Sequence, residues 1–184
     1  MKKHNLAFID LETTGLDPET HEIIEIGGLV VKQIPQTNRG AKLEIIDEFE
    51  YKVKPENIEK ADPEALRING YNEPDWLFAA GLKNVMQDIS EKTQSANLVA
   101  QNVVFDWSFL NQAFKKTGVQ NKMHYHKIDV INLAFTKFYH NPNIQYFNLK
   151  TLAEHFNIKN EKAHTALADI KTTFEVYKRL LEID

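Results

Sequence analysis

Apolar and polar residues alternate from Leu6 to Glu12, which predicts a first β-strand. Successive strand side chains point to opposite faces, so Ile9 and Leu11 share one face while Asp10 and Glu12 share the other. Gly15 and Pro18 mark a turn, and Glu22 to Lys32, built on Ile23, Ile24, Ile26, Val30 and Val31, predicts a second strand. So short a connection implies an antiparallel hairpin. A polar interval follows, then a third strand over Leu43 to Val53, closed by Pro55. Asp62-Pro63 opens a short helix over Ala61 to Asn69, with the Asp as N-cap and the Pro at the first helical position. Phe78, Leu82, Val85 and Ile89 stand at helical spacing within Asp75 to Glu91.

Leu98 to Ala100 reads as a short buried strand, and Asp106 to Lys116 as a helix carrying Phe109, Leu110, Ala113 and Phe114 on one face. Lys127 to Leu133 predicts a strand merging into a helix, and Phe135 to Phe147 a loop with irregular helix whose aromatics are mostly core. Two last helices are expected, Leu149 to Phe156 and Thr165 to Leu181, the second with Leu167, Ile170, Phe174, Tyr177 and Leu181 facing inward. The order predicts an α/β fold, a mixed sheet with helices packed on its faces. With no internal repeat or linker, residues 1–184 are expected to form a single domain.

Charge and composition narrow what such a fold could do. The absence of cysteine excludes disulfides, thiolate zinc sites and cysteine nucleophiles within these 184 residues. Met1-Lys2-Lys3-His4-Asn5 is basic, but Asp10 and Glu12 interrupt the following apolar segment too soon for a secretory leader, and no stretch approaches a membrane span. The expectation is a cytoplasmic protein with no membrane partner. A net charge of -4 argues against binding nucleic acid through a broad basic surface. It leaves room for a nuclease whose carboxylates are neutralised by bound cations.

The candidate chemistry lies in acids from three segments. Asp10 and Glu12 alone fit a strand face in water. Asp106 stands at a helix start, where an Asp commonly caps. Asp169, one turn into the last helix among Ala166, Leu167, Ala168 and Ile170, risks burial and then needs partners or a metal. His164 is five residues from Asp169, roughly 140° around and about 7.5 Å along a regular helix. The two can serve one site only if the helix begins after His164; otherwise His164 is a surface residue beside a helix start.

Asp10-Leu11-Glu12-Thr13-Thr14-Gly15-Leu16, Asn102-Val103-Val104-Phe105-Asp106 and His164-Thr165-Ala166-Leu167-Ala168-Asp169 resemble, in order and spacing, the three motifs of the DEDDh 3′-to-5′ exonucleases. Ile23-Ile24-Glu25-Ile26-Gly27 and Asn148-Leu149-Lys150-Thr151-Leu152-Ala153 add support. The resemblance implies a ribonuclease H-like fold, a mixed five-stranded sheet with strand two antiparallel and helices on both faces. It implies that Asp10, Glu12, Asp106 and Asp169 hold two divalent cations, Mg²⁺ or Mn²⁺, with His164 as general base. Oxygen donors suit such hard ions, and a histidine's ordinary pKa suits proton transfer near neutrality.

The same resemblance implies that Thr13, Thr14, Gly15, Leu16, Asn102 and Phe105 meet the 3′ end of a single strand, with Leu16 wedged against the terminal base. A polymerase is the implied protein partner. DNA is slightly favoured, because Thr13 stands where oligoribonuclease-like relatives tend to carry Met. The alternatives are an exoribonuclease trimming RNA ends and, further off, a non-catalytic nucleic-acid binding module. Gln101 departs from the His common in relatives before the second motif's Asn. Phe109 is expected in the core, whereas Trp107 is balanced between core packing and base stacking. His21, His124, His126, His140 and His155 are expected to be surface or core residues.

Overall fold

A computed structural model describes residues 3–36, 40–159 and 165–183. Five strands, β1 (Leu6–Thr13), β2 (Ile23–Gln36), β3 (Gly40–Lys52), β4 (Asn97–Ala100) and β5 (Lys127–Asp129), form one sheet in the order β3-β2-β1-β4-β5. β2 runs antiparallel to both neighbours, while β4 lies parallel to β1 and β5 parallel to β4. The mixed sheet with an antiparallel second strand is therefore the one expected.

Alternation along β1 divides the core. Ala7, Ile9 and Leu11 face one layer, packed with Val85, Met86 and Ile89 of α2 (Leu82–Lys92) and Phe109, Leu110 and Ala113 of α3 (Val103–Thr117). Leu6 and Phe8 face the other, against Val130 and Ala134 of α4 (Val130–Lys137), Leu152 of α5 (Leu149–His155) and Ile170, Phe174 and Tyr177 of α6 (Ala166–Glu182). Phe8 meets the Phe174 and Tyr177 rings edge-on, each at 5.2 Å. Asp10 and Glu12 continue the Phe8 face beyond the apolar core, beneath the first turn of α6. Among the described residues no helix is long and apolar enough to cross a membrane.

Three elements differ from the sequence expectation. The helix predicted over Asp75 to Glu91 is broken: Pro74–Trp76 forms a 3₁₀ turn and α2 starts only after Gly81. Between them Ala80 exchanges hydrogen bonds with the end of β3, its N–H donating to Lys52 O and its carbonyl accepting from Lys54 N–H. Trp76 is tied inward by its indole N–H to Ile24 O at 2.9 Å, while Phe78, counted in the helical pattern, is 94% exposed. The β2–β3 ladder extends to Gln36↔Gly40, through the interval read as polar loop, because backbone pairing continues past the point where either face is apolar. α3 begins at Val103, so Asp106 lies inside its first turn and does not cap it. The short helix α1 (Pro63–Ile68) has the predicted cap, Asp62 accepting from Glu64 N–H at 2.8 Å.

Candidate active site

The site is assembled where β1 outruns its parallel neighbour. β4 pairs with β1 only as far as Phe8↔Val99, so the last residues of β1 are open on that side. The chain leaving β4 turns at Asn102, which adopts a left-handed conformation at φ 67°. Its N–H donates to Asp129 Oδ1 at 3.3 Å, a contact that joins this turn to the end of β5. The first turn of α3 then carries Asp106 into the gap. Asp106 is 2% exposed and accepts the Leu11 N–H, in effect extending the sheet by one side chain.

On the opposite side, β2 pairs Gly27 with Asp10 and Glu25 with Glu12. Gly27 lets α6 approach: a Cβ there would lie 2.4 Å from the Ala166 carbonyl carbon and the Leu167 nitrogen. Glu25 Oε1 accepts the Ala166 N–H at 2.9 Å. Held this closely, the first turn of α6 sets Asp169 over β1, with its own N–H bonded to Thr165 O at 3.0 Å. Ligand oxygens of Asp10, Glu12 and Asp169 all lie within 4.8 Å of one another.

Such proximity is electrostatically costly without a cation. Burial first, then the charges of Asp106, Glu12, Asp169 and Glu25, push the Asp10 carboxyl well above the usual carboxylate range, although part of the residue still meets solvent. Burial, with Asp169 and Glu25 nearby, raises Glu12 to about 7. Burial likewise drives Asp106 up, aided by Asp129 and Glu12 and opposed by the N–H bonds it accepts. Like charges this close cannot all ionise unaided. Carboxylate oxygens as the donor set, partly open to solvent, fit hard divalent cations of the Mg²⁺ or Mn²⁺ kind.

The turn after β1 is firmly built. Thr14 N–H donates to Glu22 O and Glu22 N–H to Thr14 Oγ1, both at 2.8 Å. Thr13 O accepts from Asn69 Nδ2 at 3.0 Å and Thr14 O from Asp62 N–H at 2.7 Å. The Thr14 N–H and the Thr13 and Thr14 carbonyls are thus bonded within the protein. Thr13 and Thr14 are buried, Gly15 packs on the His21 ring, and Leu16 projects from the turn at 79% exposure.

Phe105 leans on Phe109 with ring centroids 5.0 Å apart, and Phe109 itself is core as expected. Trp107 packs partly against that core and carries Lys127 Nζ 3.8 Å over its ring. Gln101 donates from Nε2 to Phe147 O at 2.6 Å, tying the departure from the family pattern to the loop before α5. His164 lies outside the described residues. Glu25 and Gly27 stood in a motif that supports the resemblance, but no role in the site was read for them from sequence, nor for Asp129. A lone acid inside the apolar run Ile23–Ile26 was the available signal for Glu25. Asp129 caps α4, accepting from Ile131 N–H at 2.9 Å.

Comparison with known proteins agrees with this geometry. The exonuclease (RNase T) family model matches residues 7–177. The chain is 31% identical over 175 residues to the DNA polymerase III PolC-type of Caldanaerobacter subterraneus, covering 94% of this chain but 11% of that protein. It is 29% identical over 182 residues to the PolC-type polymerase of Bacillus subtilis, covering 99% and 12%. The chain therefore spans about a tenth of the length of these relatives. Among solved structures, E. coli exonuclease I in complex with a dT13 oligonucleotide superposes with a TM-score of 0.74 at 17% identity, over 97% of this chain and 40% of that one. Exonuclease I of Methylocaldum szegediense superposes at 0.75 and 18%, over 97% and 40%. With the family model spanning nearly the whole chain and the four acids of its motifs gathered at one end of the sheet, this protein belongs to the exonuclease family, of the DEDDh 3′-to-5′ type on a ribonuclease H-like fold.

Proposed function

We propose that the chain hydrolyses single-stranded nucleic acid from its 3′ end, DNA in preference to RNA, releasing nucleoside 5′-monophosphates. The observation that carries this reading is the convergence of Asp10, Glu12 and Asp169 within 4.8 Å, with buried Asp106 close enough to raise Asp10. Four acids can offset two divalent cations. When bound, such a pair neutralises phosphate charge, makes the attacking water more acidic and stabilises the leaving oxygen.

The chain's own groups supply the rest. Asp10 and Glu12, on a strand, and Asp106 and Asp169, on helix first turns, hold the charged centre on rigid elements. His164, two residues before α6 begins, takes the proton of the attacking water. Leu16, 79% exposed in the turn after β1, stacks on the terminal base, and Asn102 and Phe105 contribute further contacts to the strand. The oligonucleotide held by exonuclease I and the polymerase relatives support DNA as substrate and a polymerase as working partner.

The test uses 5′-labelled single strands of one sequence as DNA and as RNA, incubated with Mn²⁺ or Mg²⁺. Progressive shortening from the 3′ end, faster on DNA and abolished by chelator, is expected. Faster loss of RNA would reverse the preference, and binding without shortening would support the non-catalytic module.

A further inference from the structure

Glu25 stands where a stable sheet has no use for an acid. It is 6% exposed, lies between the buried Ile24 and Ile26, and is paired directly with Glu12 on the antiparallel neighbour. Like charges opposed across such a pair are destabilising, and a branched apolar residue would pack better. The described hydrogen bond of its carboxylate goes to the first residue of α6, 141 positions away, at Ala166 N–H.

That helix has Thr165 at its N-cap position with no side-chain cap of its own. The first N–H groups of a helix need acceptors from outside it, and an anionic one is favoured there. Glu25 supplies that acceptor from the sheet. Three residues further on is Asp169, so the height and rotation of this one turn decide where the Asp169 oxygens fall relative to Asp10 and Glu12. The bare Gly27, two residues along the same strand, admits the turn, and Glu25 anchors it.

We propose that Glu25 is a positioning residue of the acid site: by accepting the Ala166 N–H it fixes the first turn of α6, and so the placement of Asp169 for cation binding. It acts through Asp169 and needs no contact with cation or substrate. The proposal rests on the reading of Asp10, Glu12 and Asp169 as cation ligands.

Two conservative variants of the full chain separate position from charge. Glu25→Gln keeps an oxygen at the Ala166 N–H and loses the charge; Glu25→Asp keeps the charge and withdraws the oxygen by one methylene. Initial rates on a labelled single strand, measured across free Mn²⁺ concentrations, give the half-saturating Mn²⁺ and the saturated rate for each. Glu25→Asp is expected to raise half-saturating Mn²⁺ by about tenfold or more, the usual scale for loss of a group that orients a ligand. Glu25→Gln is expected to stay within about threefold of the parent, and both to approach the parent's rate at saturating Mn²⁺. The proposal is overturned if Glu25→Asp matches the parent, or if Glu25→Gln is impaired as much as Glu25→Asp. A merely structural role would lower the melting temperature of Glu25→Asp without moving its Mn²⁺ dependence, which also overturns it. Asp169→Ala serves as control: if it retains the parent's Mn²⁺-dependent rate, the ligand reading fails, independently of how the two Glu25 variants compare.

Discussion

At Asp10, Glu12 and Asp169 the protein gathers charge that its fold alone does not neutralise, and the consequences are measurable residue by residue. Asp10→Ala or Asp169→Ala removes a proposed cation ligand; several kcal/mol of transition-state stabilisation lost corresponds to a fall of at least about 10³-fold in initial rate. The same substitutions relieve repulsion, so the cation-free variants are expected to melt no lower than the parent in calorimetry. His164→Ala should cost about 10²–10⁴-fold if it is the base, and a loss below tenfold removes it from that role. Glu12 yields a pH test. Its folded pKa of about 7 lies above the ordinary 4.5, so the cation-free folded state keeps a proton that the unfolded chain releases in that window. Its contribution to stability therefore falls as pH rises from 4.5 to 7 and stays lost above. Bound cations reverse the cost, so Mn²⁺ should raise the melting temperature more at pH 8 than at pH 6, and Glu12→Gln should diminish that difference.

At the scale of elements, the site depends on how closely one helix can lie on one strand. Gly27→Ala would put a methyl group 2.4 Å from the backbone of α6. The first turn must then lift, and since backbone cannot yield as a flexible side chain does, both the melting temperature and the Mn²⁺-dependent rate are expected to fall, the rate by about tenfold or more. An unchanged rate would show that α6 tolerates displacement. Much of this was legible in the chain: alternation over Leu6–Glu12 put Asp10 and Glu12 on one face, and the apolar spacing after Thr165 predicted the last helix with Asp169 one turn in. What stayed hidden depends on contacts remote in sequence. Asp106 looked like a helix cap, whereas the N–H it accepts across the fold is that of Leu11 on β1. The role of Glu25 did not show in its motif because its partner is at residue 166. The helix expected over Asp75 to Glu91 failed because Ala80 bonds to the end of β3, a competitor that local periodicity does not register.

Across the whole molecule, a net charge of -4 sits on a protein whose acids converge at one end of the sheet. Its affinity for nucleic acid therefore has to come from bound cations and local contacts at the turn after β1, not from a basic surface. Affinity for a single strand is accordingly expected to need divalent cation and to vary weakly with monovalent salt, the reverse of a protein that binds by releasing many counterions. Anisotropy titrations with a labelled strand and the Asp10→Ala and parent proteins, at two salt concentrations, check this. The most direct test of the central claim is degradation of a 5′-labelled single-stranded DNA by the parent and by Asp169→Ala in Mn²⁺, with chelator as control. The parent should shorten the strand stepwise from the 3′ end and release 5′-mononucleotides, while chelator and Asp169→Ala each stop it. An intact strand with the parent, or near-normal shortening by Asp169→Ala, would contradict the account.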